Sequence, residues 1–314
     1  MIRLEDTSAS AVSAAIAAER HRMGSPATGM VLTLLILADE EHQADATAAA
    51  VSAALQHPMR IVTLVPRPDH ETARLDAEVA VGGDDGPGEV AVLRLRGPLA
   101  AHSTSVAIPL LLSDTPVVAY WPSDCPPAPA HSPVGRHAQR RITDLRTDPD
   151  IAAALRSRYE GYVPGDTDLA WARLTPWRSA LAQLLDSHTA PVTGAAISAP
   201  PGNASAILLS AWLSTCLRVP APVSPGPGPG ITEVRLTSAD GDLVVSRSDG
   251  EHGLLSRPGA PDSPVALRRR SLSDLLTEEL RRMDPDEVYG MVLKAAALGI
   301  DRPAGFQGDA EVTA

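Results

Sequence analysis

Residues 30–37 read MVLTLLIL, an unbroken apolar run set between Gly29 and the acidic cluster that opens at Asp39. The run has no polar alternation and is short for a helix. It therefore fits a strand buried on both faces, the kind that lies at the centre of a sheet with helices packed on either side. Its surroundings agree. Residues 7–20 and 44–55 carry apolar side chains at helical spacing, with Ala48, Val51 and Leu55 on one face of the second. A strand over 61–65 ends at Pro66 and Pro68. Strands over 74–81 and 89–95 flank GGDDGPG, a hairpin signal. A helix over 99–112 is weakened by Pro109, and a strand over 116–121 closes the series. The order α-β-α-β-β-β-α-β describes an α/β domain with some antiparallel pairing.

CPPAPAHSP, at residues 125–133, cannot join a sheet interior and is expected to be a loop or linker. Beyond it, helices are expected over 151–159 and up to residue 185, then a strand over 192–198 and an amphipathic helix over 203–217. The tract PAPVSPGPGPG, at 220–230, reads as a flexible or extended loop. Strands over 231–237, 243–248 and 265–269 follow, the first two joined at Asp240-Gly241. Ser271 with Asp274 opens one terminal helix, and Asp284-Pro285 opens the last, which Gly299 stops. The expected fold is two α/β domains with mixed sheets, joined by a Pro-rich segment and a helical connector. The expected boundaries are 1–122 for the first domain, 123–150 for the Pro-rich linker, 151–302 for the second domain and 303–314 for a disordered tail.

Composition excludes several classes of function. Aromatic residues are 3% of the 314, so the core is aliphatic. The net charge of −11 opposes binding to nucleic acid or to anionic membranes. The longest apolar run is far short of the roughly 20 residues that a membrane helix needs. No apolar segment follows the charged first residues, so a cytoplasmic protein with no membrane association is expected. Cys125 and Cys216 form no CxxC pair and read as reduced thiols.

No catalytic constellation emerges, and no cofactor is expected. GxSxG, SxxK, GxGxxG and GxxxxGK[ST] are all absent. Cys125, His131 and His137 match no zinc spacing. Asp39, Glu40, Glu41 and His42 sit where acidic side chains complement a helix dipole. The turn at 199–203 offers two readings. Gly202 and Asn203 could present free N–H groups to a phosphate or sugar phosphate, or Asn203 could simply cap an ordinary helix.

Residues 164–179, PGDTDLAWARLTPWRS, concentrate more signals than any other stretch. Gly165 permits a sharp turn, Asp166 and Asp168 are good caps, and Thr175-Pro176 restarts a helix. Trp171 and Trp177 are two of only four Trp in the chain, and Arg173 and Arg178 follow them closely. Trp and Arg dominate interface hot spots, and they also serve as core anchors.

The segment closely resembles the hallmark of the glucose-6-phosphate dehydrogenase assembly protein family, OpcA. HPMRIVTLV (57–65), LLLSDTPVVAYWP (110–122) and RRITD (140–144) resemble further segments of that family in the same order. The resemblance implies a non-catalytic cytosolic protein of actinobacterial or cyanobacterial type. Such a protein binds glucose-6-phosphate dehydrogenase and promotes its active oligomer. Redox control, known for cyanobacterial members, is not carried over to Cys125 and Cys216. If the chain acts in this way, the expected partner contacts are Arg140, Arg141, Asp166, Asp168, Trp171, Arg173, Trp177 and Arg178. The alternative is a sugar-phosphate-binding enzyme or sensor that uses the strand–helix turn from Pro200 to Ala204, with Gly202 and Asn203 at the anion.

Overall fold

The computed structural model describes residues 1–24, 29–82, 88–186 and 188–299. The centre of the GGDDGPG spacer and the tail after 303 lie outside these residues. The chain forms β1 (Ile2–Leu4), α1 (Ala9–Arg22), β2 (Leu32–Leu37), α2 (Gln43–Ala54), β3 (Met59–Arg67), β4 (Arg74–Val81) and β5 (Glu89–Arg96). It continues through α3 (Ser103–Ala107), β6 (Val117–Tyr120), β7 (Arg140–Thr143), α4 (Ile151–Glu160), β8 (Asp166–Asp168), α5 (Leu169–Ala172) and α6 (Thr175–Asp186). Then come β9 (Val192–Ala199), α7 (Ala204–Leu217), β10 (Val223–Pro225), β11 (Glu233–Ser238), β12 (Leu243–Ser246), β13 (His252–Ser256), β14 (Ser263–Ala266), α8 (Leu272–Glu279) and α9 (Glu287–Gly299).

Two compact units result. The first comprises Met1–Pro149, Gly161–Arg173 and Arg269–Asp286, and the second comprises Asp150–Glu160, Leu174–Arg268 and the chain from Glu287. Each is built on one mixed sheet.

The first unit holds an eight-stranded sheet in the order β1-β4-β5-β3-β2-β6-β7-β8. The strands from β5 to β8 run parallel, while β1 and β4 pair antiparallel. The apolar run at 30–37 supplies its centre, as the lack of alternation predicts. Leu35 of β2 joins Val62, Leu64, Ala119, Val12 and Ile16 on one face. Leu32, Leu34 and Ile36 join Ile61, Val118 and the α2 alanines on the other. At the other end, β4 and β5 send Leu75, Ala77, Val79, Leu93 and Leu95 inward. Their opposite face carries a ladder in which Asp76 accepts from Arg74 (2.6 Å) and Arg96 (2.7 Å). Glu89, only 3% exposed, accepts from Arg60 (2.7 Å) and Arg20 (3.1 Å), and Arg60 also donates to the Leu110 carbonyl at 2.8 Å.

The expected first domain ends at residue 122, with a linker over 123–150; the first unit instead keeps the chain through Pro149, and the second unit opens at Asp150, beside the expected start at 151. The Pro-rich segment does not join the two units. Two short 3-10 turns, Pro129–His131 and Gly135–His137, carry it. Pro129, Val134 and Ala138 are buried, and Gly135 fits only because it has no Cβ, which would lie 1.9 Å from the Pro129 carbonyl oxygen. Proline is no obstacle in such turns, which ask for few backbone donors. The helix expected over 99–112 is broken into 3-10 turns around the five residues of α3, with Pro109 in the second turn.

The second unit holds a six-stranded sheet in the order β10-β9-β11-β12-β13-β14, antiparallel except for β10 beside β9. Part of the tract at 220–230 is therefore strand rather than loop. Ile197, Val234, Val245 and Leu255 lie side by side across four strands and are all buried. Helix α7 packs on β9, α6 on β12, and α9 on α7 and α4. Asn203 caps α7, its Oδ1 accepting from Ala206 N at 2.8 Å, and Ser271 with Asp274 forms the expected capping box of α8.

The buried ion pair at the start of β5 generates a stability prediction. Glu89→Gln leaves the guanidiniums of Arg60 and Arg20 without a counter-charge and should cost about 3–5 kcal/mol. Urea unfolding followed by circular dichroism reads this as a lower midpoint with an unchanged slope.

Candidate functional site

The segment singled out by the sequence, 164–179, spans the end of the first unit and the start of the second, with the crossing between Arg173 and Leu174. In the first unit it builds the edge of the large sheet. Strands β7 and β8 are short and polar, yet every residue of both is buried. Their register opposes Arg141 to Asp166, Ile142 to Thr167 and Thr143 to Asp168. Opposite charges placed directly across two strands stabilise the pairing, and here they replace the apolar alternation that strands ordinarily show.

Each charged side chain of this edge has its partner inside the fold. Arg141 donates through Nε to Asp166, through Nη1 to the Ala138 carbonyl (2.6 Å) and through Nη2 to the Pro164 carbonyl (2.9 Å). The second oxygen of Asp166 accepts from Val163 N at 2.9 Å. Arg140 donates to Glu279 and to the Asp284 carbonyl (3.0 Å). Gly165 holds φ at +101°, and a Cβ there would lie 2.4 Å from the Gln139 carbonyl oxygen, so only glycine lets β8 approach this closely.

Asp168 is completely buried and accepts from three donors. Its oxygens accept from Ala170 N (2.7 Å), from the Thr143 hydroxyl and from Leu145 N (3.1 and 3.2 Å). It is the N-cap of α5, as expected. Asp144, next to it at the end of β7, receives a two-pronged bond from Arg173 at 2.8 and 2.7 Å. Burial, reinforced by the neighbouring Asp144 carboxylate, pushes the Asp168 carboxyl up to about 6. Burial also raises the Tyr120 phenol, which lies close enough to feel the Asp144 charge. Trp171 is 1% exposed and donates its Nε1–H to Asp286 at 2.8 Å.

In the second unit, Thr175 lies inside α6 rather than before it, since Arg178 N already bonds to the Leu174 carbonyl. Arg178 is half-buried and donates to the Thr175 hydroxyl at 3.1 Å. Trp177 is 3% exposed, with the Arg247 guanidinium 5.2 Å above its ring.

The expectation that these eight side chains face a partner meets a different geometry. Arg140, Arg141, Asp166, Asp168, Trp171 and Trp177 are buried, and Arg173 and Arg178 are half-buried. The same chemistry that suits Trp and Arg to interfaces suits them to internal networks. The partners Asp144, Glu279 and Asp286 were not singled out as ligands of these groups. Glu279 and Asp286 lie more than 100 residues from Arg140 and Trp171, a separation that leaves no local signal.

The other candidates are as follows. Gly202 holds φ at +70° in open space, and Asn203 is occupied as a cap. Asp39 accepts from His42 N (2.7 Å), His42 Nδ1 (2.8 Å) and the Ser123 hydroxyl (2.9 Å), which closes the turn before α2, while Glu40 accepts from Arg67 at 2.9 Å. Among the described residues, no three His, Cys, Asp or Glu side chains converge to hold a metal. Among the described residues, no helix is long and apolar enough to cross a membrane. Cys125 and Cys216 are not joined in a disulfide.

Two family models match the chain. One, described as the N-terminal domain of a glucose-6-phosphate dehydrogenase subunit (OpcA), covers residues 50–160, and the other, described as the C-terminal domain, covers residues 164–293. The chain belongs to the OpcA family. In this OpcA-family chain, the second match begins at Pro164, the residue whose carbonyl Arg141 holds. No match was found among curated protein sequences. Several solved structures are similar at low identity. KijD10, a 3-ketoreductase from Actinomadura kijaniata in complex with TDP-benzene and NADP, is 10% identical, with a TM-score of 0.48 over 85% of this chain and 95% of its own. A dehydrogenase (MviM) from Clostridium difficile is 7% identical, with a TM-score of 0.45 over 85% and 97%. An oxidoreductase from Sinorhizobium meliloti is 11% identical, with a TM-score of 0.41 over 86% and 89%. Likenesses at this level bring no chemistry to this chain.

The Asp144–Arg173–Asp168 cluster predicts a pH signature. The folded Asp168 carboxyl titrates near 6 and an unfolded one near 4, so the folded state holds the proton more tightly. Its contribution is fully present below about pH 4 and is lost as pH rises through about 6. Arg173→Met should cost about 3–5 kcal/mol at pH 8, where both carboxylates lack a counter-charge, and clearly less at pH 5. Denaturant melts of both proteins at the two pH values measure the difference.

Proposed function

We propose that this chain is a non-catalytic partner of glucose-6-phosphate dehydrogenase. In this reading it acts in the cytoplasm, binds the dehydrogenase and favours its active oligomer. The observation that carries the proposal is the pair of family matches over residues 50–293, both described as domains of a glucose-6-phosphate dehydrogenase subunit. The site chemistry supports a non-catalytic role. The carboxylates of the hallmark segment are engaged by partners inside the fold, and a nucleophile or general base needs a free atom within reach of substrate. Asp168 is enclosed by its own donors, and Asp144 is clamped by Arg173.

The physical requirement on an activator of this kind is differential affinity. It must bind the active oligomer more tightly than the inactive form, since equal affinity for both shifts nothing. A tenfold preference, about 1.4 kcal/mol, moves the ratio of the two states tenfold. In this account the hallmark segment does not itself supply the contact. It fixes the sheet edge and the chain that leaves it, and so sets the shape of the surfaces around them.

The test adds the purified chain to purified glucose-6-phosphate dehydrogenase from the same cell and follows NADPH formation together with the mass of the complex by light scattering. The expected outcome is a larger complex and a higher kcat/KM for glucose 6-phosphate. Unchanged mass and unchanged kinetics would contradict the proposal.

A further inference from the structure

The sheet of the second unit has one covered face and one open face. Across the open face run two rows of side chains. Ser198, Glu233, Ser246, Leu254 and Pro264 stand in register over five strands, and Ala196, Arg235, Val244 and Ser256 form the next row. These alternate with the buried row of Ile197, Val234, Val245 and Leu255, so they point away from the helices. Leu254 is 43% exposed, and the side chains of Glu233 and Arg235 are 39% and 42% exposed. At the centre, Arg235 bonds to Glu233 (3.0 Å) and Asp242 (2.9 Å). The remaining side chains of the rows are mostly small, which leaves the face flat.

We propose that this face is a self-association surface on which a second copy of the chain packs, sheet against sheet. Flat sheets with small side chains pack face to face at about 10 Å with their strands roughly aligned. The charge pattern selects the partner. A two-fold axis lying in the interface, across the strands and between the two rows, lays each row on the other row of the second copy. Glu233 of one copy then faces Arg235 of the other, twice over, and Leu254 faces Ser256. A surface that carries both signs on adjacent rows is complementary to itself under this operation. Six strands of three to eight residues, about five on average, present a face of about 24 by 17 Å, on the order of 400 Å². That is about half of the roughly 800 Å² per partner in a stable complex. The association is therefore reversible and concentration-dependent.

Sedimentation velocity on the full chain, from about 1 to about 300 micromolar, tests this without the dehydrogenase. The expected result is a shift from 32.8 kDa toward twice that mass as concentration rises. Arg235→Glu sets like charges against each other across the axis and should weaken association at least about tenfold. Leu254→Lys should do the same, and the charge-swapped Glu233→Arg/Arg235→Glu protein should recover it. Far-UV circular dichroism and a thermal melt check that each variant is folded. A monomer at every concentration overturns the proposal. So does association that ignores both single substitutions in folded protein, or a failure of the charge swap to restore it. If the chain stays monomeric and Arg235→Glu instead abolishes binding to the dehydrogenase, the face serves that partner and the proposal also fails.

Discussion

The edge of the larger sheet is held by charge rather than by hydrocarbon, and the organisation of the chain follows from that. Strands β7 and β8 contain two arginines, two aspartates, two threonines and one isoleucine, all buried. Such residues enter a core only when every charge is matched, because an unmatched one costs several kcal/mol. The matching is local across the strand pair for Arg141 and Asp166. It is long-range for Arg140 with Glu279, Arg173 with Asp144, and Trp171 with Asp286. The partners from α8 and from the turn after it enter the first unit late in the sequence. The fold of the first unit is thus completed only when residues 269–286 return to it.

This arrangement leaves the hallmark segment little room for substitution and little exposed surface. Gly165 is forced by the approach of the Gln139 carbonyl, Asp168 by three donors and Trp171 by its bond to Asp286. A motif of this composition resembles a binding site in sequence because hot spots and buried networks draw on the same residue types. Here the composition identifies the family, and the geometry assigns the residues to the interior.

What could be read from the sequence was whatever depended on near neighbours. The central strand β2, the hairpin strands β4 and β5, and the caps at Asp168, Asn203 and Ser271 all rest on contacts or periodicities within a few residues. The strands β7 and β8 could not be read, because their pattern is ionic and their partners lie far along the chain. The Pro-rich segment misled for a related reason. Its composition matches that of a linker, but Pro129 is buried and Val134 and Ala138 belong to the first core. The linker expected over 123–150 is therefore part of the first unit.

The central claim is that residues 166–173 form a rigid internal frame rather than a contact surface that orders on binding. Amide hydrogen exchange on this segment tests it most directly, measured on the chain alone and with saturating glucose-6-phosphate dehydrogenase. The account predicts slow exchange at Ala170, Trp171 and Arg173 in the free chain and little change on adding the dehydrogenase. Fast exchange in the free chain, with protection appearing only in the complex, would contradict it.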